Sequence, residues 1–86
     1  MTFVQTKPLR KAFARLVLRE RVAVESAIRQ FKVDRLDANL RNHALKGKMK
    51  GLRAFSAGWD LRVIYREESS FITILLIDVG THNQVH

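Results

Sequence analysis

Residues Phe71-Ile-Thr-Ile-Leu-Leu-Ile-Asp78 form a run that is β-branched and apolar on both alternating faces. A strand of that kind has no polar side to offer water, so it belongs in the middle of a sheet with both faces covered. Two strand-like runs precede it, Leu52–Ser56 and Leu61–Arg66, separated by turns at Ala57-Gly58 and Glu67-Glu-Ser-Ser70. Connections that short join antiparallel neighbours, which predicts a meander. In the middle run, Leu61, Val63 and Tyr65 fall on one face and Arg62, Ile64 and Arg66 on the other.

The first half reads differently. Leu9, Phe13, Leu16, Val17, Val24, Ile28 and Phe31 recur at helical spacings, with Arg10, Lys11, Arg15, Arg19, Arg29 and Lys32 filling other positions. Thr6 suits a helix N-cap, and Pro8 a first turn where its missing N–H does no harm. The pattern predicts one amphipathic helix or a helical hairpin to about Phe31, with a break near Leu18 to Arg21. A short strand at Phe3–Thr6 precedes it, and a connector with Leu36 and Leu40 one turn apart follows. Helices first and a meander after give an α+β fold: an N-terminal helix or hairpin packed on a small twisted antiparallel sheet. At 86 residues the chain is expected to be a single domain, 1–86.

Composition narrows the function classes. The chain has no cysteine, which excludes disulfides and thiolate metal sites and fits a reducing cytoplasm. The apolar run ending at Val79 is too short to span a bilayer, and the N-terminus lacks a signal-peptide pattern, so no membrane partner is expected. Net charge is +8. A surface of that kind attracts polyanions, with nucleic acid the commonest. The charge peaks in the thirteen residues Arg41–Arg53, which hold five basic side chains and no acid.

Those residues supply the candidate contacts. Lys46, Lys48 and Lys50 alternate, so in an extended loop they share one side and act as point charges on phosphates. Gly47 and Gly51 let the backbone approach a ligand closely. Arg53 and Arg62 are bidentate donors suited to a phosphate that gains charge during reaction. Phe55 shares strand parity with Arg53 and is the candidate for stacking on a base; Trp59 and Tyr65 read equally well as turn-packing or core residues. Lysines that protect a sheet edge are the plainer reading of Lys46 and Lys48. His43, His82 and His86 titrate near neutral pH and are able to move protons. The His82/His86 spacing also suits a metal pair, but no third ligand accompanies it. Asp60, taken alone, is a turn residue.

The strings His43-Ala-Leu-Lys-Gly-Lys-Met-Lys-Gly-Leu-Arg53, Asp60-Leu-Arg-Val-Ile-Tyr-Arg66 and Asp78-Val-Gly-Thr-His-Asn-Gln-Val-His86 resemble, in order and spacing, the RelE/ParE toxin superfamily of bacterial type II toxin–antitoxin systems. The YafQ-like branch is the most similar. The resemblance covers about the last half of the chain, and the helical half is compatible with it. It implies a RelE-like microbial RNase fold, no metal or cofactor, an antitoxin protein as partner, and ribosome-dependent cleavage of mRNA by attack of a ribose 2′-hydroxyl on the adjacent phosphate. Carried over, His43 matches the histidine before the Leu-x-Gly loop. Asp60 matches the acid ahead of the Arg-Val-Ile-Tyr-like strand, and His82 the histidine of the terminal Gly-Thr-His motif. Arg62 matches an arginine that the wider RelE group uses on phosphate. His86 stands where the family usually has Tyr or Phe, and Ser56 where YafQ-type proteins often have another histidine. A ParE-like gyrase inhibitor without catalysis and a catalytically attenuated RNA- or antitoxin-binding homologue are the alternatives.

Overall fold

The computed structural model describes residues 1–69 and 73–85. The chain runs β1 (Thr2–Gln5), α1 (Lys7–Ala14), α2 (Leu18–Val33), β2 (His43–Ala44), β3 (Arg53–Ala57), β4 (Leu61–Glu68), β5 (Thr73–Thr81) and α3 (His82–Val85). The strands form one sheet in the order β1-β5-β4-β3-β2. As its sequence demands, β5 is interior, flanked by β1 and β4. The meander β3-β4-β5 is antiparallel, as expected. The sheet as a whole is mixed, because β1 runs parallel to β5, with Thr2 opposite Thr73 and Gln5 opposite Leu76. Parallel entry is possible because the helices carry the chain away before it returns to the sheet.

The helical region divides earlier than its periodicity suggests, at Arg15–Val17 rather than near Leu18–Arg21. Val17 is extended (φ −75°, ψ 165°), and its N–H donates to the Glu20 carboxylate at 2.9 Å. That is one half of a capping box; valine has no oxygen to supply the other. Arg21 Nε donates to the Leu16 carbonyl at 2.9 Å, which closes the corner. The N-terminus of α1 follows the sequence more closely. Thr6 caps Leu9 N, and its hydroxyl also donates to the Leu76 carbonyl at 2.7 Å, tying the helix start to β5.

The helices cover one face of the sheet. Leu9, Val24, Ala27 and Phe31 meet Phe55, Ala57, Leu61, Val63, Tyr65, Ile74, Leu76 and Val79 in a single core. Phe31 is its hub: its ring lies 5.7, 5.0 and 5.2 Å from those of Phe3, Phe55 and Tyr65. Such edge-on and tilted pairs add to burial, about 0.5–1.5 kcal/mol each. The opposite face carries a smaller cluster, Leu45, Ala54, Ile64 and Val85, with Met49, Leu52 and Ile77 against it. A bulge serves both faces. Ile64 is opposite Asp78 and Tyr65 opposite Leu76, so Ile77 is the extra residue.

Candidate active site

The register of β3, β4 and β5 builds the site. Ser56 lies opposite Arg62, and Arg62 opposite Gly80, so these three share one row across the sheet. Phe55, Ala57, Leu61 and Val63 point into the helix-side core, which places Ser56 and Arg62 on the other face. The next rung pairs Leu61 with Thr81. Asp60 immediately precedes that rung and His82 immediately follows it. Asp60, Arg62 and His82 therefore meet at one end of the sheet. His43 approaches from the far side: it pairs with Ala54, two residues along β3 from Ser56. Strand spacings put its Cα about 12 Å from that of Arg62.

Each group has a distinct electrostatic setting. Arg62 is half-buried, and it makes a long hydrogen bond, from Nη1 to the Leu61 carbonyl at 3.5 Å. The ion pairs among the described residues are Arg53–Glu67 and Arg66–Glu68, so no carboxylate among those residues neutralises Arg62. Beside it, the Ser56 hydroxyl is buried, with the residue 6% exposed, and has no hydrogen-bond partner among the described residues. Buried hydroxyls are rarely left so, and this one shares its row with the Arg62 guanidinium. His43 is exposed, and its Nδ1 lies 2.8 Å from the Arg41 carbonyl. A carbonyl only accepts, so Nδ1 carries a proton, and in the neutral ring the lone pair is on Nε2. Arg41 holds that carbonyl in place from a left-handed conformation, φ 50°. His82 is exposed at the start of α3. His86 lies outside the described residues.

Two expected RNA contacts, Phe55 and Arg53, stand elsewhere. Phe55 is fully buried, with its ring between those of Phe31 and Tyr65, so no base can stack on it. Arg53 shares its face and belongs to the fold: Nε donates to Asn42 Oδ1 at 3.0 Å and faces Glu67 at 3.4 Å. Tyr65 donates to the same Asn42 oxygen at 2.8 Å. Burial pushes the Tyr65 hydroxyl above its ordinary pKa, and its bonds to Arg53 and Asn42 offset only part of that rise. This network anchors Asn42, the residue before His43, whose Nδ2 also donates to the Arg35 carbonyl. The lysines are exposed but do not line one side. Gly47–Met49 is a 3-10 turn, which rotates successive residues by about 120° and fans Lys46, Lys48 and Lys50 in different directions. Gly47 (φ 65°) enters the turn, and Met49 fastens it to the sheet.

Trp59, which the sequence leaves open between stacking and packing, is not packed. Its side chain is 92% exposed in the β3–β4 turn, beside Asp60. Gly58 (φ 66°) shapes that turn. Among the described residues, no group of three or more histidine and acidic side chains is placed to hold a metal, and no helix is long and apolar enough to cross a membrane.

A family model described as bacterial toxin of type II toxin–antitoxin system, YafQ, matches residues 3–86. Among solved structures, YafQ from E. coli superposes with a TM-score of 0.80 at 16% identity, over 96% of this chain and 94% of that one. A copper-bound mutant toxin from Helicobacter pylori gives 0.77 at 26% identity, over 100% and 99%. The toxin–antitoxin complex RelBE2 from Mycobacterium tuberculosis gives 0.65 at 22% identity, over 94% and 96%. Among curated proteins, none matches the chain.

Proposed function

Because the chain belongs to the YafQ family of bacterial type II toxins, we propose that it is a metal-independent endoribonuclease that cuts mRNA on the ribosome and is held in check by an antitoxin. The observation that carries this reading is the row Ser56–Arg62 on the face away from the helices. It joins an unpaired guanidinium to an unpaired hydroxyl, with histidines on both flanks.

The reaction needs a base and an acid on opposite sides of the phosphorus, because the entering and leaving oxygens lie in line. His43 reaches in from the β2 side and His82 from the end of β5. His43 Nε2 takes the proton of the ribose 2′-hydroxyl. The 2′-oxygen bonds to phosphorus, the bond to the 5′-oxygen breaks, and the His82 imidazolium protonates that leaving oxygen. The products are a 2′,3′-cyclic phosphate and a 5′-hydroxyl. Arg62 stabilises the charge that builds on the non-bridging oxygens, and the Ser56 hydroxyl donates to one of them. Asp60 sets a carboxylate beside the end rung, where it joins the acid–base group. His86, which completes the terminal motif, is assigned to the same catalytic group.

The rest of the surface serves the polyanion. Lys46, Lys48, Lys50 and Arg41 are exposed around His43 and grip RNA backbone from several directions, with salt-sensitive affinity. The same net charge of +8 suits an acidic antitoxin segment that folds on binding. RelBE2 is a toxin–antitoxin complex of this fold, which supports such a partner here.

Primer extension on mRNA, with and without ribosomes, tests the reading. Wild-type protein is expected to cut only when ribosomes are present, and His82→Ala to lose cleavage with an unchanged circular dichroism spectrum. Intact mRNA together with gyrase-dependent DNA breaks would replace this reading with ParE-like poisoning.

A further inference from the structure

Trp59 has no role in the fold: its ring stands in solvent, 92% exposed, at the tip of the β3–β4 turn. At its foot is a cleft of about 290 Å³ between that turn and the first turns of α2, with Ala57 and Leu61 as apolar floor and Arg19, Glu20 and Asp60 as its charged lining. The Cβ of Ala23 lies 3.5 Å from where a Cβ on Gly58 would be, so the turn rests against α2. Arg19 forms no hydrogen bond or ion pair among the described residues. Asp60 joins the cleft to the end rung, one residue from Leu61 and two from Arg62.

We infer that Trp59 and this cleft, on the helix side of the β3–β4 turn, seat an unstacked nucleobase of single-stranded RNA whose chain passes round that turn to lay a phosphate over Arg62 on the other face. This rests on RNA being the substrate. The indole supplies a flat face for stacking, and a single-stranded base has a face to give it. Arg19 supplies donors to the base edge. A protein helix is the poorer fit, because the exposed apolar residues of α2 are turned elsewhere. Leu18 and Val22 lie about 140° and 100° round the helix from Ala23, which borders the cleft. The subsite explains why the chain keeps a large aromatic ring in water beside its acid–base groups.

The chain has one tryptophan, so its emission reports this cleft alone. The probe is a 2′-O-methyl oligoribonucleotide, which binds but cannot be cut, titrated against a strand of equal length and charge that carries no bases. The base-bearing strand is expected to quench Trp59 and shield it from acrylamide; the abasic strand binds without either effect. Trp59→Ala is expected to weaken the base-bearing strand about ten-fold and leave the abasic strand unchanged, with Trp59→Phe retaining most of the affinity. On programmed ribosomes the same loss appears in KM rather than kcat. If both strands bind with no change in emission while mRNA is still cut, the subsite is wrong and the nuclease reading stands. If neither strand binds and no mRNA is cut, both fall together. Shielding by an acidic amphipathic peptide but not by RNA would overturn the assignment in favour of a protein partner.

Discussion

The two faces of the sheet are built from the same three strands and have opposite chemistry. On the helix side, Phe31, Phe55, Val63, Tyr65 and Ile74 are fully buried and their contacts are mutual. On the other side, one residue over in each strand, Ala54, Ser56, Arg62 and Ile64 form a thin apolar floor interrupted by an unpaired hydroxyl and an unpaired guanidinium. Alternation of period two lets a strand of five to nine residues do both jobs. Stability is concentrated on one face so that the other can leave polar groups open to a substrate. That division makes opposite predictions for substitutions a single residue apart.

The largest effect is expected on the helix side. Phe31 touches three aromatic rings, and Phe31→Ala leaves a cavity among them. The loss is about 3–5 kcal/mol, a large part of the stability of a domain this size. Urea unfolding of the variant checks it, and a midpoint close to wild type would mean that this face is not where the fold is held.

Arg62 is the mirror case. Arg62→Gln is expected to lower cleavage on ribosomes by about 10²–10³-fold, the range for removing a donor to developing charge. Its stability should stay within about 0.5 kcal/mol of wild type, since no acid is left unpaired. Cleavage rate and thermal midpoint, measured together, test the division directly. A variant that unfolds early would show that Arg62 belongs to the scaffold.

How far this division can be read from the chain is clear from particular residues. The apolar run of β5 and the alternation of Leu61, Val63 and Tyr65 are legible, because burial on a pleated strand leaves a period in the sequence. The parity of Arg53 and Phe55 is legible too, but parity alone does not say which set the helices cover. The antiparallel register does: it places Phe55 opposite Val63 and so in the core, and Arg53 opposite Tyr65 and its network. The lysine loop differs from the extended segment its alternation suggests because Gly47 and Gly51, both at positive φ, curl it into a turn. The parallel pairing of β1 leaves no local trace, since it depends on where the helices return the chain. Trp59 is invisible for a related reason: nothing in Gly58-Trp-Asp60 tells a packed indole from an exposed one. The family resemblance is what singles out His43, Asp60, Arg62 and His82, whereas the orphan state of Ser56 is a property of packing alone.

Tyr65 sits on the boundary between the two regimes, since its network on the helix side anchors the residue before His43. Its raised pKa means that the folded state holds the phenolic proton more tightly than the unfolded chain. Above pH 10, the ordinary tyrosine value, the unfolded chain deprotonates first, so stability is expected to fall as pH climbs from there. Tyr65→Phe removes that slope. It also costs about 1 kcal/mol at neutral pH through the lost bond to Asn42. Unfolding curves at pH 7 and above 10 measure both. An unchanged alkaline slope in the variant would assign the effect to other groups.

The smallest effect, and the sharpest contrast, is expected at Ser56. A partnered hydroxyl stabilises the fold and its removal destabilises; an orphaned one carries a desolvation penalty, and its removal relieves it. Ser56→Ala is therefore expected to leave stability unchanged or raise it, by less than about 1 kcal/mol, since alanine fits the space and needs no partner. Cleavage should fall in the same variant if the hydroxyl donates to the phosphate over Arg62. The two readouts moving in opposite directions would be the signature of a group kept for the substrate at the expense of the fold. A drop in both would mean that Ser56 holds the strand, and that the boundary between the two faces lies beyond β3.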